Sequence, residues 1–86
     1  MKKTTVLFEG GTTRIGDKGC NYMLANAVNA DGDEVELYAE YEAPEGLTED
    51  MVDEFDRKSY PVLKAEIIRQ AEENGVDVDS LEFFQL

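Results

Sequence analysis

The clearest pattern in the chain is the alternation of apolar and polar positions in residues 34–42. One side of this segment carries Val35, Leu37, Ala39 and Tyr41. The other side carries Glu34, Glu36, Tyr38, Glu40 and Glu42. A period of two is typical of a β-strand that has one buried and one solvated face. The sequence therefore predicts a half-buried strand whose outer face is acidic.

Two earlier segments add strands to the predicted sheet. Residues 4–8 are rich in β-branched and aromatic side chains, which indicates a short strand. Residues 9–19 hold four glycines and predict a flexible loop or a bulged, bent strand. Residues 21–29 fit a strand, although residues 23–27 would also tolerate a helix. The Asp-Gly turn at residues 30–33 favours the strand, because two period-two segments around such a turn form a hairpin.

The second half of the chain changes to helical periodicity. Thr48 is a suitable N-cap and predicts a short helix that runs to about residue 57. Ser59 predicts a second N-cap, because Pro61 is then tolerated in the first turn of a second helix. This second helix is predicted to end at Asn74, since Asn followed by Gly is a common helix stop.

These elements predict one small domain. A link at residues 76–80 leads from the second helix to a last strand at residues 81–86, so the predicted order is β-β-β-α-α-β. The predicted fold class is α+β, a small antiparallel sheet of three to four strands with two helices on one face. A chain of 86 residues suits a single domain with one core, covering residues 1–86.

The charge of the chain says more about its partners than any motif does. The chain has 20 acidic residues, 8 basic residues and no histidine, which gives a formal net charge of −12. Such a surface repels nucleic acid and anionic membranes and attracts basic protein surfaces. The carboxylates of residues 34–42 are spaced like the phosphates of a nucleic acid, which favours occupation of a basic groove. Acidity that serves solubility alone is the open alternative.

The residues give little support to a catalytic or metal site. The missing histidines remove the commonest general base and neutral metal ligand. Residues 11–18 approach a phosphate-binding loop, but Asp17 stands where the lysine belongs. Gly32 fails as the centre of an EF-hand, because Tyr38 would then occupy the twelfth position. Cys20 has no histidine to form its thiolate. We therefore predict no enzyme activity, no metal and no cofactor.

Two stretches of the chain resemble a known family. Residues 19–25 read Gly-Cys-Asn-Tyr-Met-Leu-Ala and lead through the turn into the strand at residues 35–38, and residues 81–86 read Leu-Glu-Phe-Phe-Gln-Leu. These stretches resemble the small phage-encoded anti-CRISPR proteins of the type II-C class, which clamp the HNH nuclease domain. That family has Gly-Cys, then Leu-Ala at the same spacing, and ends in an aromatic residue, Glu-Phe, one residue and Glu-Leu. Length and acidity also agree.

The resemblance implies an inhibitor without chemistry of its own. In that family, residues just before the last strand contact the catalytic histidine and aspartate of the nuclease, and the matching positions are Asp79 and Ser80. This chain departs from the family's Ser-Cys pair at these positions, and a methionine replaces a second cysteine. Asp17 matches an acidic residue of the family, one position out of register. The resemblance thus implies Asp79, Ser80 and Asp17 as partner-binding residues. The outer side of the strand at residues 34–42 adds Glu34, Glu36, Tyr38 and Glu40 to the predicted partner-binding residues.

The predicted function is that of an acidic inhibitor protein that binds and masks a basic protein surface. The specific form of this prediction is an anti-CRISPR that blocks the HNH active site of a type II CRISPR effector. The alternative is a small acidic protein-binding or regulatory domain with an unknown partner. In neither case is the protein expected to bind nucleic acid or a membrane directly. A single cysteine and the lack of an export signal predict the cytoplasm, which would be that of the host cell if the protein is phage-encoded.

Overall fold

The fold is an α+β arrangement of one sheet and one helix. A computed structural model describes residues 3–10, 20–44 and 48–85. The elements in chain order are β1 (Thr4–Glu9), β2 (Cys20–Val28), β3 (Glu34–Glu42), α1 (Glu49–Glu73), a 3₁₀ turn (Val78–Ser80) and β4 (Leu81–Gln85). The strands form one mixed sheet in the order β3-β2-β1-β4, and α1 packs on one face of it. The predicted α+β class is therefore confirmed.

β2 and β3 form the hairpin that the Asp-Gly turn predicted, so residues 21–28 are strand rather than helix, and Asn29 lies in the turn. Each strand contributes nine residues to an unbroken antiparallel pairing. Asn29 closes the turn, because its Oδ1 accepts hydrogen bonds from the N–H groups of Asp31 and Asp33 at 3.0 and 2.9 Å. Gly32 has a φ of +86°, a conformation that glycine adopts without steric cost.

The prediction of two helices is wrong, because α1 is one continuous helix with Pro61 inside it. Ser59 does not cap a second helix. It is buried, and its hydroxyl donates to the carbonyl of Asp56 at 3.1 Å. A proline in a helix interior costs roughly 3 kcal/mol, since it lacks an N–H and crowds the preceding turn. Packing on both sides of Pro61 offsets this cost. The buried residues of α1 are Phe55, Ser59, Leu63, Ile67 and Ala71.

The end of α1 follows the prediction from Asn74 and Gly75. Asn74 is the C-cap, and its N–H donates to the Gln70 carbonyl at 3.0 Å. Gly75 has a φ of +75°, and the N–H of the next residue, Val76, reaches back to the Ala71 carbonyl at 2.8 Å. This left-handed glycine ends the helix and turns the chain back towards the sheet.

The prediction of a fully antiparallel sheet is also wrong, because β4 pairs with β1 in parallel. The 25 residues of α1 rise about 37 Å, which carries the chain back along the whole sheet. β4 therefore runs in the same direction as β3. Since β3 and β1 are both antiparallel to β2, β4 is parallel to β1. The observed order is β-β-β-α-β, and a second helix would have returned the chain to the other end of the sheet.

The hydrophobic core lies between α1 and one face of the sheet. Its largest fully buried side chains are Phe8, Met23, Leu37, Leu63 and Ile67. Phe8 also meets Tyr60 edge to face, with ring centroids 5.0 Å apart. The opposite face of the sheet is not covered by any helix in the part of the chain that the structure describes. This uncovered side is where the candidate site lies.

Candidate partner-binding face

One apolar row crosses all four strands on the side of the sheet that faces away from α1. The strand registers place Leu7 between Phe84 and Leu24, and Leu24 beside Tyr38. Phe84 and Tyr38 are 49% and 41% exposed, and Leu7 and Leu24 are partly exposed. We call these four residues the apolar row. Aromatic and aliphatic side chains that line up across an uncovered sheet are typical of a surface that binds a partner.

Carboxylates lie on both sides of the apolar row. One flanking row contains Glu9, Tyr22 and Glu40. The other contains Glu82, Thr5, Asn26 and Glu36. Each of these residues is two positions along its strand from a member of the apolar row, a distance of about 7 Å. We call the three rows together the open face, which has an apolar centre and an acidic border.

Both tyrosines of the open face are hydrogen-bonded to carboxylates. The Tyr38 hydroxyl donates to Glu40 Oε1 at 2.6 Å, and the Tyr22 hydroxyl donates to Glu9 Oε2. The rings of Tyr22 and Tyr38 lie 6.0 Å apart. The hydrogen bond to Glu40 raises the pKa of Tyr38 to about 12, and desolvation adds a smaller increase. Tyr38 therefore stays a neutral donor at physiological pH and holds the Glu40 carboxylate beside the apolar row.

The residues predicted on β3 lie together on the uncovered side of the sheet. Glu34, Glu36, Tyr38 and Glu40 are all exposed there, because the strand alternates as its sequence indicates. The sequence did not show which apolar residues accompany them. Leu7, Leu24 and Phe84 each look like core residues when their own strand is considered alone. Only the pairing of distant strands brings them into one row with Tyr38.

The residues implied by the family resemblance lie apart from β3. Asp79 and Ser80 precede β4, which is the opposite edge strand of the sheet. Ser80 is buried, and its hydroxyl donates to the Asp77 carbonyl at 2.6 Å. Asp79 is exposed, and its N–H donates to Asp77 Oδ1 at 3.1 Å. Asp17 lies outside the described residues. Of the residues implied by the resemblance, the structure therefore shows Asp79 exposed to solvent and Ser80 buried.

Cys20 begins β2 in an acidic environment. Burial raises the pKa of its thiol, and the charges of Glu40 and Glu42 raise that pKa further. Less thiolate forms than on an ordinary cysteine, so the thiol is a weak nucleophile. Among the described residues, no group of three or more His, Cys, Asp or Glu is arranged to hold a metal ion. The open face offers an apolar surface bordered by hydrogen-bond acceptors.

Comparison of the chain with known protein families, with curated proteins and with solved structures finds no match. No helix in the described part of the chain combines the length and the apolar character needed to cross a membrane.

Proposed function

We propose that this protein binds a positively charged protein surface through the open face, and that it acts by masking that surface rather than by catalysis. The observation that carries the proposal is the apolar row, which lies between two rows that contain carboxylates, on a sheet face that no helix of the described residues covers. An apolar centre with a charged border is the usual composition of a protein–protein interface.

The two parts of the open face contribute differently to binding. The apolar row loses contact with water when a partner docks, which stabilises the complex by about 25 cal/mol for each Å² of apolar surface that is buried. Phe84 and Tyr38 are the best anchors, because aromatic side chains dominate binding energy at interfaces. The exposed carboxylates mainly increase the association rate and select a basic partner. A net charge of −12 reinforces this selection.

The partner that we propose is the HNH nuclease domain of a type II CRISPR effector, which would make the protein an anti-CRISPR. The resemblance of residues 19–25 and 81–86 to that inhibitor family supports this identification. Both stretches contribute to the open face, since the first contains Leu24 and the second contains Phe84. Asp79 is an exposed carboxylate of the kind that would contact a histidine of the nuclease.

A pair of charge-matched variants tests the proposal. Glu36→Gln/Glu40→Gln removes two charges from the open face, and Asp53→Asn/Glu72→Gln removes two from exposed positions of α1. Both variants have the same net charge. We expect the first to slow association with a purified HNH domain about tenfold at low ionic strength, and the second to slow it less than about twofold. Equal effects would show that the acidity acts through overall charge alone.

A cleavage assay tests the identity of the partner. With the protein in excess at low ionic strength, we expect DNA cleavage by the HNH domain of a type II-C effector to stop. Asp79→Asn should weaken this inhibition, because it removes the exposed carboxylate next to β4. Glu49→Gln, which removes an exposed carboxylate at the start of α1, is the matched control and should inhibit like the unaltered protein. Undiminished cleavage would reject the HNH domain as the partner.

A further inference from the structure

β3 forms one edge of the sheet, and the side chain of Gln70 from α1 is bonded to it. The Tyr38 N–H donates to Gln70 Oε1 at 3.0 Å, and Gln70 Nε2 donates to the Tyr38 carbonyl at 2.8 Å. One side-chain amide thus makes the two hydrogen bonds that a residue of a neighbouring antiparallel strand would exchange with Tyr38.

The same edge continues on either side of Tyr38. The pairing of β2 with β3 is unbroken, so residues two positions apart direct their backbone groups to the same side. Glu36 and Glu40 therefore direct their N–H and C=O groups away from β2, as Tyr38 does. Within the described residues, no side chain of α1 is hydrogen-bonded to the backbone of Glu36 or Glu40. Edge groups of this kind are able to pair with another strand.

We propose that the edge of β3 accepts an antiparallel strand from the basic partner, and that this strand displaces Gln70. The inference rests on the proposed function, which supplies the basic partner. The side chains of Glu36 and Glu40 lie on the open face, so the partner residues opposite them would be Lys or Arg. The residue between those two would lie opposite Tyr38 and be apolar. The occupant is an extended segment of the pattern Lys/Arg-x-apolar-x-Lys/Arg.

Charge excludes a second copy of this chain as the occupant. Two β3 strands paired with each other would place glutamates close to glutamates across the new interface, which is destabilising. Each copy also has a net charge of −12. A basic strand has the opposite effect, because its Lys or Arg side chains neutralise Glu36 and Glu40.

The exchange of hydrogen bonds favours the incoming strand. Pairing would give two backbone hydrogen bonds at each of Glu36, Tyr38 and Glu40, in place of the two that Gln70 makes. Gln70 keeps a partner when it is displaced, since its Nε2 also donates to Glu66 Oε2 at 2.9 Å. Arg69 is ion-paired with the same carboxylate and holds it in place. Until a partner arrives, Gln70 protects the edge from unspecific pairing.

A capped peptide, Thr-Lys-Thr-Val-Thr-Lys-Thr, tests the proposal when it is titrated into isotope-labelled protein at low ionic strength. Its two Lys would lie opposite Glu40 and Glu36, and its Val opposite Tyr38. We expect slower amide hydrogen exchange at Glu36 and Glu40 when the peptide is bound. Gln70→Leu frees the Tyr38 backbone, so this variant should bind the peptide about two- to tenfold more tightly.

Backbone methylation of the peptide provides the matched control. Methylating the nitrogens of the Val and one Lys removes two of the donors that face β3 and should abolish binding. Methylating the two inner Thr nitrogens leaves those donors in place and should preserve it. Equal binding of the two methylated peptides, unchanged exchange at Glu36 and Glu40, or no binding of the parent peptide would overturn the strand pairing.

Failure of the strand pairing can be distinguished from failure of the proposed function. That function is judged by the charge-matched double variants and the HNH domain, and it fails if Glu36→Gln/Glu40→Gln and Asp53→Asn/Glu72→Gln associate equally fast. If strand pairing fails while the double variants still differ, the partner binds the open face by its side chains alone.

Discussion

Asn21 connects the sheet to the helix, and its replacement by alanine should destabilise the fold. Asn21 is fully buried on the side of β2 that faces α1. Its Nδ2 donates to Asp56 Oδ1 at 2.7 Å and to Ser59 Oγ at 3.0 Å. Ser59 in turn donates to the Asp56 carbonyl, so one amide joins two positions in successive turns of α1. Asn21→Ala removes this polar connection.

The size of the effect follows from the two hydrogen bonds. A hydrogen bond to a charged group contributes about 1.5–3 kcal/mol, and one between neutral groups contributes about 0.5–1.5 kcal/mol. Water will partly replace the amide at Asp56, which is only half-buried. We therefore expect Asn21→Ala to lower the free energy of unfolding by about 2–4 kcal/mol. This is a large part of the 5–15 kcal/mol that is typical of a folded domain.

Urea unfolding followed by circular dichroism measures this loss. Asn26→Ala is the matched control, because Asn26 lies on the same strand but is exposed on the open face. Its free energy of unfolding should change by less than about 0.5 kcal/mol. A loss below about 1 kcal/mol for Asn21→Ala would show that the two hydrogen bonds contribute almost nothing to stability.

Three further predictions concern Pro61, Tyr38 and Cys20. Pro61→Ala restores a helix N–H, so it should raise the free energy of unfolding by about 1–3 kcal/mol in the same urea assay; a loss would mean that Pro61 stabilises α1. Tyr38 should ionise near pH 12 in an ultraviolet absorbance titration, and Glu40→Gln should lower this pKa. Because its pKa is raised on folding, the stabilisation by Tyr38 is complete below about pH 10 and is lost as the pH rises towards 12. Cys20 should react with iodoacetamide more slowly than a free cysteine at mildly alkaline pH, and Glu42→Gln should speed the reaction.

Local patterns predicted the elements that depend on neighbouring residues. The alternation in residues 34–42 predicted β3 and its acidic side, and the Asp-Gly turn predicted the hairpin. The break at Pro61 was predicted wrongly for a physical reason. Its local penalty is smaller than the gain from packing Phe55 and Leu63 against the sheet on either side of it. The direction of β4 was also predicted wrongly, because it depends on whether one or two helices precede the strand.

The candidate site depends on contacts that no local pattern contains. The acidic residues of β3 were predicted as a binding surface from the sequence. Leu7, Leu24 and Phe84 were not predicted as part of this surface. Each is an apolar residue of a strand, and the sequence does not show which face of that strand the helix covers. Their position on the open face follows from the strand registers and from α1 packing on the other side. One sequence on its own does not specify these long-range pairings.

A magnetic resonance titration of methyl-labelled protein with the HNH domain tests directly whether the open face is the binding surface. Leu7 and Leu24 report on the open face, whereas Val62 is 50% exposed on α1 and reports on the other side of the molecule. If the open face is the binding surface, the methyl signals of Leu7 and Leu24 will shift and that of Val62 will stay unchanged. A shift of Val62 with Leu7 and Leu24 unaffected would show that the partner binds elsewhere than the open face.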